Sequence, residues 1–292
     1  MRLLVYHIDT NIMIPKILHQ IWIQGLDNAP SKLQSYSKKC ADVNSDFKHI
    51  VWNDISIREL LGKFGKAYLD QYNNYTVPAQ KADFARYAIL YTYGGIYLDM
   101  DMICRRNLAP LLEHNFFCTT DAFFFLSKRY LNGIIGSIPG HKLFTYIFAN
   151  IYDRIDYSRD VTYSTGTGLL YDSVRQYKRE TGIDDIEIID GKYLHPCQTY
   201  DNDSCPYECD SCYVAHTNYG SWNTNLMNYF MRNLKNILFI IVSLIVILII
   251  WFFVMRKTSN KKDSLTDDYT TNLTHSEYLP SASLSNTPLV NK

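Results

Sequence analysis

The sequence predicts an α/β domain on a mostly parallel, Rossmann-like sheet, followed by one transmembrane helix. Three observations carry that expectation. Apolar strand-like runs alternate with helical periodicities through the first half of the chain, the pattern that builds parallel sheets. The stretch Val77 to Cys104 sets a helix, Gly-Gly, a short strand and an acidic turn in immediate succession. Ile237 to Met255 is an apolar run of 19 residues without a charge.

The 292 residues suffice for one sizeable domain with appendages. We expect a short leader at 1–13, a folded domain at 14–230, the spanning helix at 237–255 and a polar, disordered tail at 256–292. Lys+Arg and Asp+Glu number 29 each, so no long-range attraction for nucleic acid arises. There is no basic stripe or zinc-finger spacing either, and nucleic acid is excluded as a partner.

Ile14 to Ile23 reads as the first strand, buried and therefore not strictly alternating. Ser31 to Cys40 reads as an exposed helix, and Phe47 to Trp52 as a second strand. Ile57 to Phe64 is a further helix, and Tyr68 to Thr76 a polar connection. No Gly-x-Gly-x-x-Gly loop follows the first strand, so a dinucleotide cofactor is not expected. In such sheets ligands sit beyond the carboxyl ends of the strands.

The central helix starts near Ala79, because Pro78 suits a first turn and disfavours helix at Val77. Ala82, Ala85, Ile89 and Tyr93 make an apolar stripe on it. Asp83 and Arg86, three apart, share a face. Gly94-Gly95 stops the helix, since glycine takes the left-handed cap without penalty. Ile96-Tyr97-Leu98 is then a short buried strand that delivers Asp99 and Asp101. Two carboxylates at i and i+2 on extended backbone point the same way and repel. They call for a cation, and oxygen ligands suit Mg2+ or Mn2+, which complete their shells with water and substrate phosphate. The competing reading is a solvated acidic turn.

KADFARYAILYTYGGIYLDMDM resembles the core of glycosyltransferase family 32, which includes the yeast outer-chain mannosyltransferase and the subunits that mannosylate inositol phosphorylceramide. The clostridial glucosylating toxins share that core. The likeness covers about Ile14 to Asn223. It implies a GT-A fold and a retaining, metal-dependent transferase using a nucleotide sugar. It further implies that Asp101 binds the metal directly, with Asp99 contacting the metal or the ribose, and that Asp83 and Arg86 face the sugar. Trp22 corresponds to a base-stacking tryptophan, and Ile21 and Tyr97 are grouped with it as nucleotide-sugar contacts; a core tryptophan is the bland alternative. Asn132 precedes Pro139-Gly-His141, where Lys142 replaces the usual proline, and is a candidate sugar contact or a turn former. Thr165-Gly-Thr-Gly resembles the family's Thr-Gly-Pro turn entering a helix. His216, followed by Ser221 and Trp222, resembles a loop closing over the nucleotide sugar, with His216 as third metal ligand.

As a helix the apolar run would span about 28 Å, close to a bilayer's hydrocarbon thickness. Arg256, Lys257, Lys261 and Lys262 follow it, against Arg232 and Lys235 before it. The positive-inside rule therefore favours a lumenal domain and a cytoplasmic tail, whereas the 13 residues before the domain are too few for a signal peptide. Four of the seven cysteines crowd into Cys197, Cys205, Cys209 and Cys212. In an oxidising lumen these form two disulfides of open connectivity; zinc or free thiols are the alternatives. The sequons at Asn74 and Asn202 matter only there.

The expectation is a membrane-anchored hexosyltransferase of the endomembrane system, with Mn2+ or Mg2+ as cofactor. Its partners are a nucleotide-sugar donor, first GDP-mannose and second a UDP-hexose, and a glycan or glycolipid acceptor such as inositol phosphorylceramide. The rivals are a phosphatase of the haloacid dehalogenase type, disfavoured because its DxD ends the first strand, and a catalytically silent sugar-binding protein.

Overall fold

The computed structural model describes residues 13–120, 129–155, 160–197, 209, 211–217, 219, 233 and 236–257. The chain divides into two compact units, Met1–Tyr229 and Phe230–Lys292. In the first unit, β1 (Ile17–Ile21), β2 (Lys48–Trp52), β3 (Gly95–Leu98), β5 (Phe116–Thr120), β6 (Tyr130–Ser137) and β7 (Ile186–Ile189) form one sheet. Its order is β2-β1-β3-β6-β5-β7. Among these strands β6 runs antiparallel to its neighbours β3 and β5, and the other pairings are parallel. A second, two-stranded ribbon pairs β4 (Met102–Cys104) with β8 (Val214–His216).

The helices are α1 (Ser31–Val43), α2 (Asp54–Phe64), α3 (Lys66–Asn74), α4 (Pro78–Tyr93), α5 (Leu143–Asp153), α6 (Val161–Ser164), α7 (Thr167–Thr181) and α8 (Gly191–Leu194). Side chains alternate across each strand, so the sheet feeds two cores. Tyr97, Phe116 and Cys118 join Phe84, Tyr87, Phe144 and Leu170 on one face. Ile96, Leu98 and Phe117 join Leu18, Leu194 and Val214 on the other. The mostly parallel sheet with flanking helices is the architecture expected.

Several local expectations need correction. Residues 68–76 lie largely within α3, because Gln71 and Tyr72 are buried and packing outweighs the weak helix propensity of Tyr and Asn. α1 is not merely exposed: it buries Leu33, Ser37 and Cys40. α4 is buried from Asp83 through Leu90 rather than along one stripe, and Tyr93 is exposed. The two glycines after it have positive φ, 62° at Gly94 and 92° at Gly95. A Cβ on Gly95 would lie 2.6 Å from the Ile17 carbonyl oxygen, so close strand packing also requires glycine.

A disulfide joins Cys40 of α1 to Cys104 of β4, with Cα atoms 4.8 Å apart. Sequence reading centred on the later cluster and missed it. In that cluster Cys209 pairs with Cys212, and Cys197 is also disulfide-bonded; Cys205 lies outside the described residues. Cys118 is a buried free thiol.

In the second unit, Asn236–Lys257 is one helix, long and apolar enough to cross a membrane.

Candidate active site

The site is assembled at the carboxyl end of β3. Asp99 follows the strand, and its N–H donates to the Gly133 carbonyl on β6 (2.8 Å). The backbone then turns instead of staying extended, with Met102 N–H donating to the Asp99 carbonyl (3.2 Å). Asp101 thus lies on a turn, a correction to the extended geometry expected for the pair. A Cβ on Gly133 would come within 2.8 Å of Asp99 Oδ2, so only glycine leaves that carboxylate its place.

Behind Asp99 lies a buried polar cluster. α4 presents Asp83 and Arg86, each 5% exposed. Arg86 Nη2 is 3.0 Å from Asp83 Oδ1 and 3.2 Å from Asp99 Oδ1. Arg86 Nη1 donates to the Asn132 carbonyl, and the guanidinium lies 4.5 Å from the centre of the Tyr97 ring. Asp83 accepts from Asn132 Nδ2 and from the Thr165 hydroxyl, both at 2.9 Å. Tyr97 donates its hydroxyl to Asp99 Oδ1 (2.8 Å). Asn132 is a strand residue of β6, not a turn former.

Electrostatics follow from this burial. Desolvation pushes Asp83 up to about 6, against the pull of Arg86 and the Thr165 hydrogen bond. Burial works the same way on Asp99, yet the Arg86 charge and His216 hold it below the ordinary value. Burial also raises the Tyr97 hydroxyl, keeping it a proton donor.

The β4–β8 ribbon brings in a third group. Its register sets Met102 opposite His216. His216 Nε2 lies 3.2 Å from Asp101 Oδ1 and 3.8 Å from Asp99 Oδ2. Burial would lower the imidazole, but the charges of Asp101 and Asp99 hold it well above its usual value. One ligand atom from each of Asp99, Asp101 and His216 falls within 4.8 Å of the others. Two carboxylates and an imidazole are a fitting donor set for Mn2+ or Mg2+. The chain beyond β8 folds over Asp101: Thr217 N–H and hydroxyl donate to its carbonyl (2.9 and 2.8 Å), and Tyr219 N–H to Oδ2 (2.9 Å).

The other sequence candidates are placed less centrally. The Ile21 side chain is in the core. Trp22 packs beside Ala29, Leu33 and Met100, the residue between the two aspartates, and its Nε1 is buried without a hydrogen-bond partner among the described residues. Ser221 and Trp222 lie outside the described residues. Sequence reading missed Gln20, fully buried on β1, whose amide donates to the Asp99 carbonyl (3.5 Å). Gln20 Oε1 accepts from Ser37 Oγ (2.6 Å) and pairs with His49 Nε2 (2.9 Å). A glutamine inside an apolar strand was the available signal. His195 was also missed. Its ring lies 5.1 Å from that of His216, and burial pushes it down to about 3.

Comparison with known proteins gives this site its class. Residues 30–118 match the glycosyltransferase sugar-binding region containing the DXD motif. An uncharacterized glycosyltransferase of Acanthamoeba polyphaga mimivirus is 49% identical over 232 residues, 78% of this chain and 92% of its own length. A mannosyl phosphorylinositol ceramide synthase of Saccharomyces cerevisiae is 34% identical over 171 residues, 57% of this chain but 43% of that enzyme. Among solved structures, PaToxG glycosyltransferase matches at 18% identity and a TM-score of 0.44, covering 59% of this chain and 71% of its own. The chain belongs to the DXD-containing glycosyltransferases of family 32 and is a glycosyltransferase.

Proposed function

We propose that the protein is a retaining, metal-dependent hexosyltransferase that moves mannose from GDP-mannose to a glycan or glycolipid acceptor such as inositol phosphorylceramide. The observation that carries this reading is the convergence of Asp99, Asp101 and His216 at the end of β3. These residues would hold Mn2+ or Mg2+, which neutralises a diphosphate and the charge growing on its leaving oxygen. Arg86, fixed by Asp83 and Asp99, adds a permanent positive charge behind the site. Asp83, ionised above about pH 6, remains an acceptor for a donor hydroxyl. Trp22, half-buried beside Met100, is the platform for the base.

The mannose assignment draws on the yeast relative, which shares less than half its length with this chain; a UDP-hexose donor is the second reading. Residues 14–230 form the catalytic domain, 237–255 the span and 256–292 a polar tail, with the domain lumenal in the endomembrane system. Support for that placement comes from the Cys40–Cys104 disulfide, which oxidising compartments favour.

The test is a panel of GDP- and UDP-sugars offered to the detergent-solubilised full chain with Mn2+, with Mg2+ and with chelator. Metal-dependent release of GDP from GDP-mannose is expected. Turnover that survives chelation overturns the metal reading. Binding without any nucleotide release favours the silent sugar-binding protein.

A further inference from the structure

The buried stripe of α1 is made of Leu33, Ser37 and Cys40, spaced as i, i+4 and i+7. Each of the three reaches the acidic turn or the strand that follows it. Leu33 packs in a small apolar cluster with Met100, between the two aspartates. Cys40 is bonded to Cys104 at the end of β4. Ser37 acts through Gln20, whose Oε1 accepts from the Ser37 hydroxyl (2.6 Å) and from His49 Nε2 (2.9 Å). On its other side the Gln20 amide donates to the Asp99 carbonyl (3.5 Å). A carbonyl only accepts, so the amide nitrogen faces the turn and the amide oxygen faces α1 and β2.

Packing alone does not call for a glutamine here. Gln20 and Ser37 are 0% and 1% exposed, and an apolar pair would fill that space without burying an amide and a hydroxyl. What the amide adds is a hold on one peptide plane. The Asp99 carbonyl belongs to the planar unit that leads from Asp99 to Met100, half of the path between the two carboxylates. It also accepts from Met102 N–H inside the turn (3.2 Å), and a carbonyl oxygen has a lone pair for each donor. That plane is held from β1, and Met100 is held in the cluster with Leu33. Together they oppose the mutual repulsion that would otherwise spread the two carboxylates.

Resting on the metal-site reading above, we propose that Gln20 is a positioning residue of the cation site. Braced by Ser37 and His49, it fixes the Asp99 carbonyl and so sets the spacing at which Asp99 and Asp101 meet a divalent cation. It acts through the backbone of Asp99 and not on the ion.

The test measures Mn2+ binding to the full chain in detergent, by the electron paramagnetic resonance signal of the free ion. Wild type, Gln20→Met, Ser37→Ala and Ile57→Ala are compared below their melting temperatures, each with a melting curve in chelator. Gln20→Met keeps the length of the side chain and loses the amide. It should weaken Mn2+ binding about tenfold. Ser37→Ala removes one brace and should weaken binding in the same direction by less. Ile57→Ala opens the core on the other face of the sheet, away from the acidic turn. It should lower the melting temperature and leave Mn2+ affinity unchanged. Equal affinity in wild type and Gln20→Met overturns the proposal, whatever the melting curves show. An equal loss of affinity in Ile57→Ala also overturns it, because general loosening would then explain the effect. If Gln20→Met does not fold, Ser37→Ala decides, and wild-type affinity in that variant overturns the proposal. Failure of wild type to bind Mn2+ at all would instead remove the metal-site reading, and this inference with it.

Discussion

Arg86 lies 3.0 Å from Asp83 and 3.2 Å from Asp99, so one buried guanidinium joins the central helix to the first aspartate of the acidic motif. An intrahelical Asp–Arg pair on a surface is worth a few tenths of a kcal/mol. Buried, the same pair cannot lose one partner cheaply. Arg86→Met should cost about 3–5 kcal/mol of stability, since two carboxylates are left without their cation. Urea unfolding measures it. A loss under about 1 kcal/mol would show the surface estimate to be right.

Asp101→Asn keeps shape but removes a charge from the proposed metal shell. Turnover should fall about a thousandfold, equivalent to ~4 kcal/mol of transition-state stabilisation. Metal-free stability should fall only modestly, through the lost pairing with the His216 imidazolium. Asp42→Asn, on an exposed i,i+4 pair with Lys38, is the control and should leave turnover unchanged. Near wild-type turnover in Asp101→Asn would rule out the metal role.

Asp83 gives a pH signature. Its proton affinity rises from 3.8 unfolded to about 6 folded. Between those values the folded state binds more protons, so its contribution is full below about pH 3.8 and is lost as pH rises through about 6. The change amounts to roughly 3 kcal/mol at most. Asp83→Asn lacks that proton. The melting temperature of wild type, relative to the variant, should therefore decline from pH 4 to pH 7. Parallel curves would mean that Arg86 fully offsets the burial.

Cys104→Ser opens the bridge to Cys40, which closes a separation of 64 residues. The cost should be about 2–5 kcal/mol. Adding reductant under denaturing conditions should destabilise wild type by about that much more than it destabilises the variant, which keeps the bridges at Cys197 and Cys209–Cys212. If reductant destabilises both equally, the remaining bridges hold the fold instead.

Asn74 ends α3 and is exposed. With a lumenal domain its sequon is open to glycosylation, and endoglycosidase should shift the protein's mobility. Protease protection in intact microsomes is the second readout. A domain digested from outside, with no shift, contradicts the lumenal placement.

The acidic pair was legible because everything that positions it is local. Pro78, the helix it starts, two glycines and a short apolar strand lie within one window, where propensity and periodicity act. Chain alternation likewise announced the parallel sheet, and the apolar run at 237–255 announced its helix. The turn at Asp99–Asp101 was not legible, because its geometry follows from the β3–β6 pairing and Gly133 rather than from neighbours in sequence. α3 was misread for a related reason: the burial of Gln71 and Tyr72 decided it, and propensity did not.

What the sequence by itself determined is therefore the class of the protein, the motif and the helix that supports it. His216 entered the site on family likeness, and its distance from Asp101 depends on the register of β4 on β8. The contacts of Gln20 with the Asp99 carbonyl, Thr165 with Asp83, and His195 with His216 were decided only in three dimensions. So was the Cys40–Cys104 bridge. The physical reason is common to all of them. Local preferences act over a few residues, whereas strand register and the burial of distant polar groups against one another exist only once the whole sheet has formed.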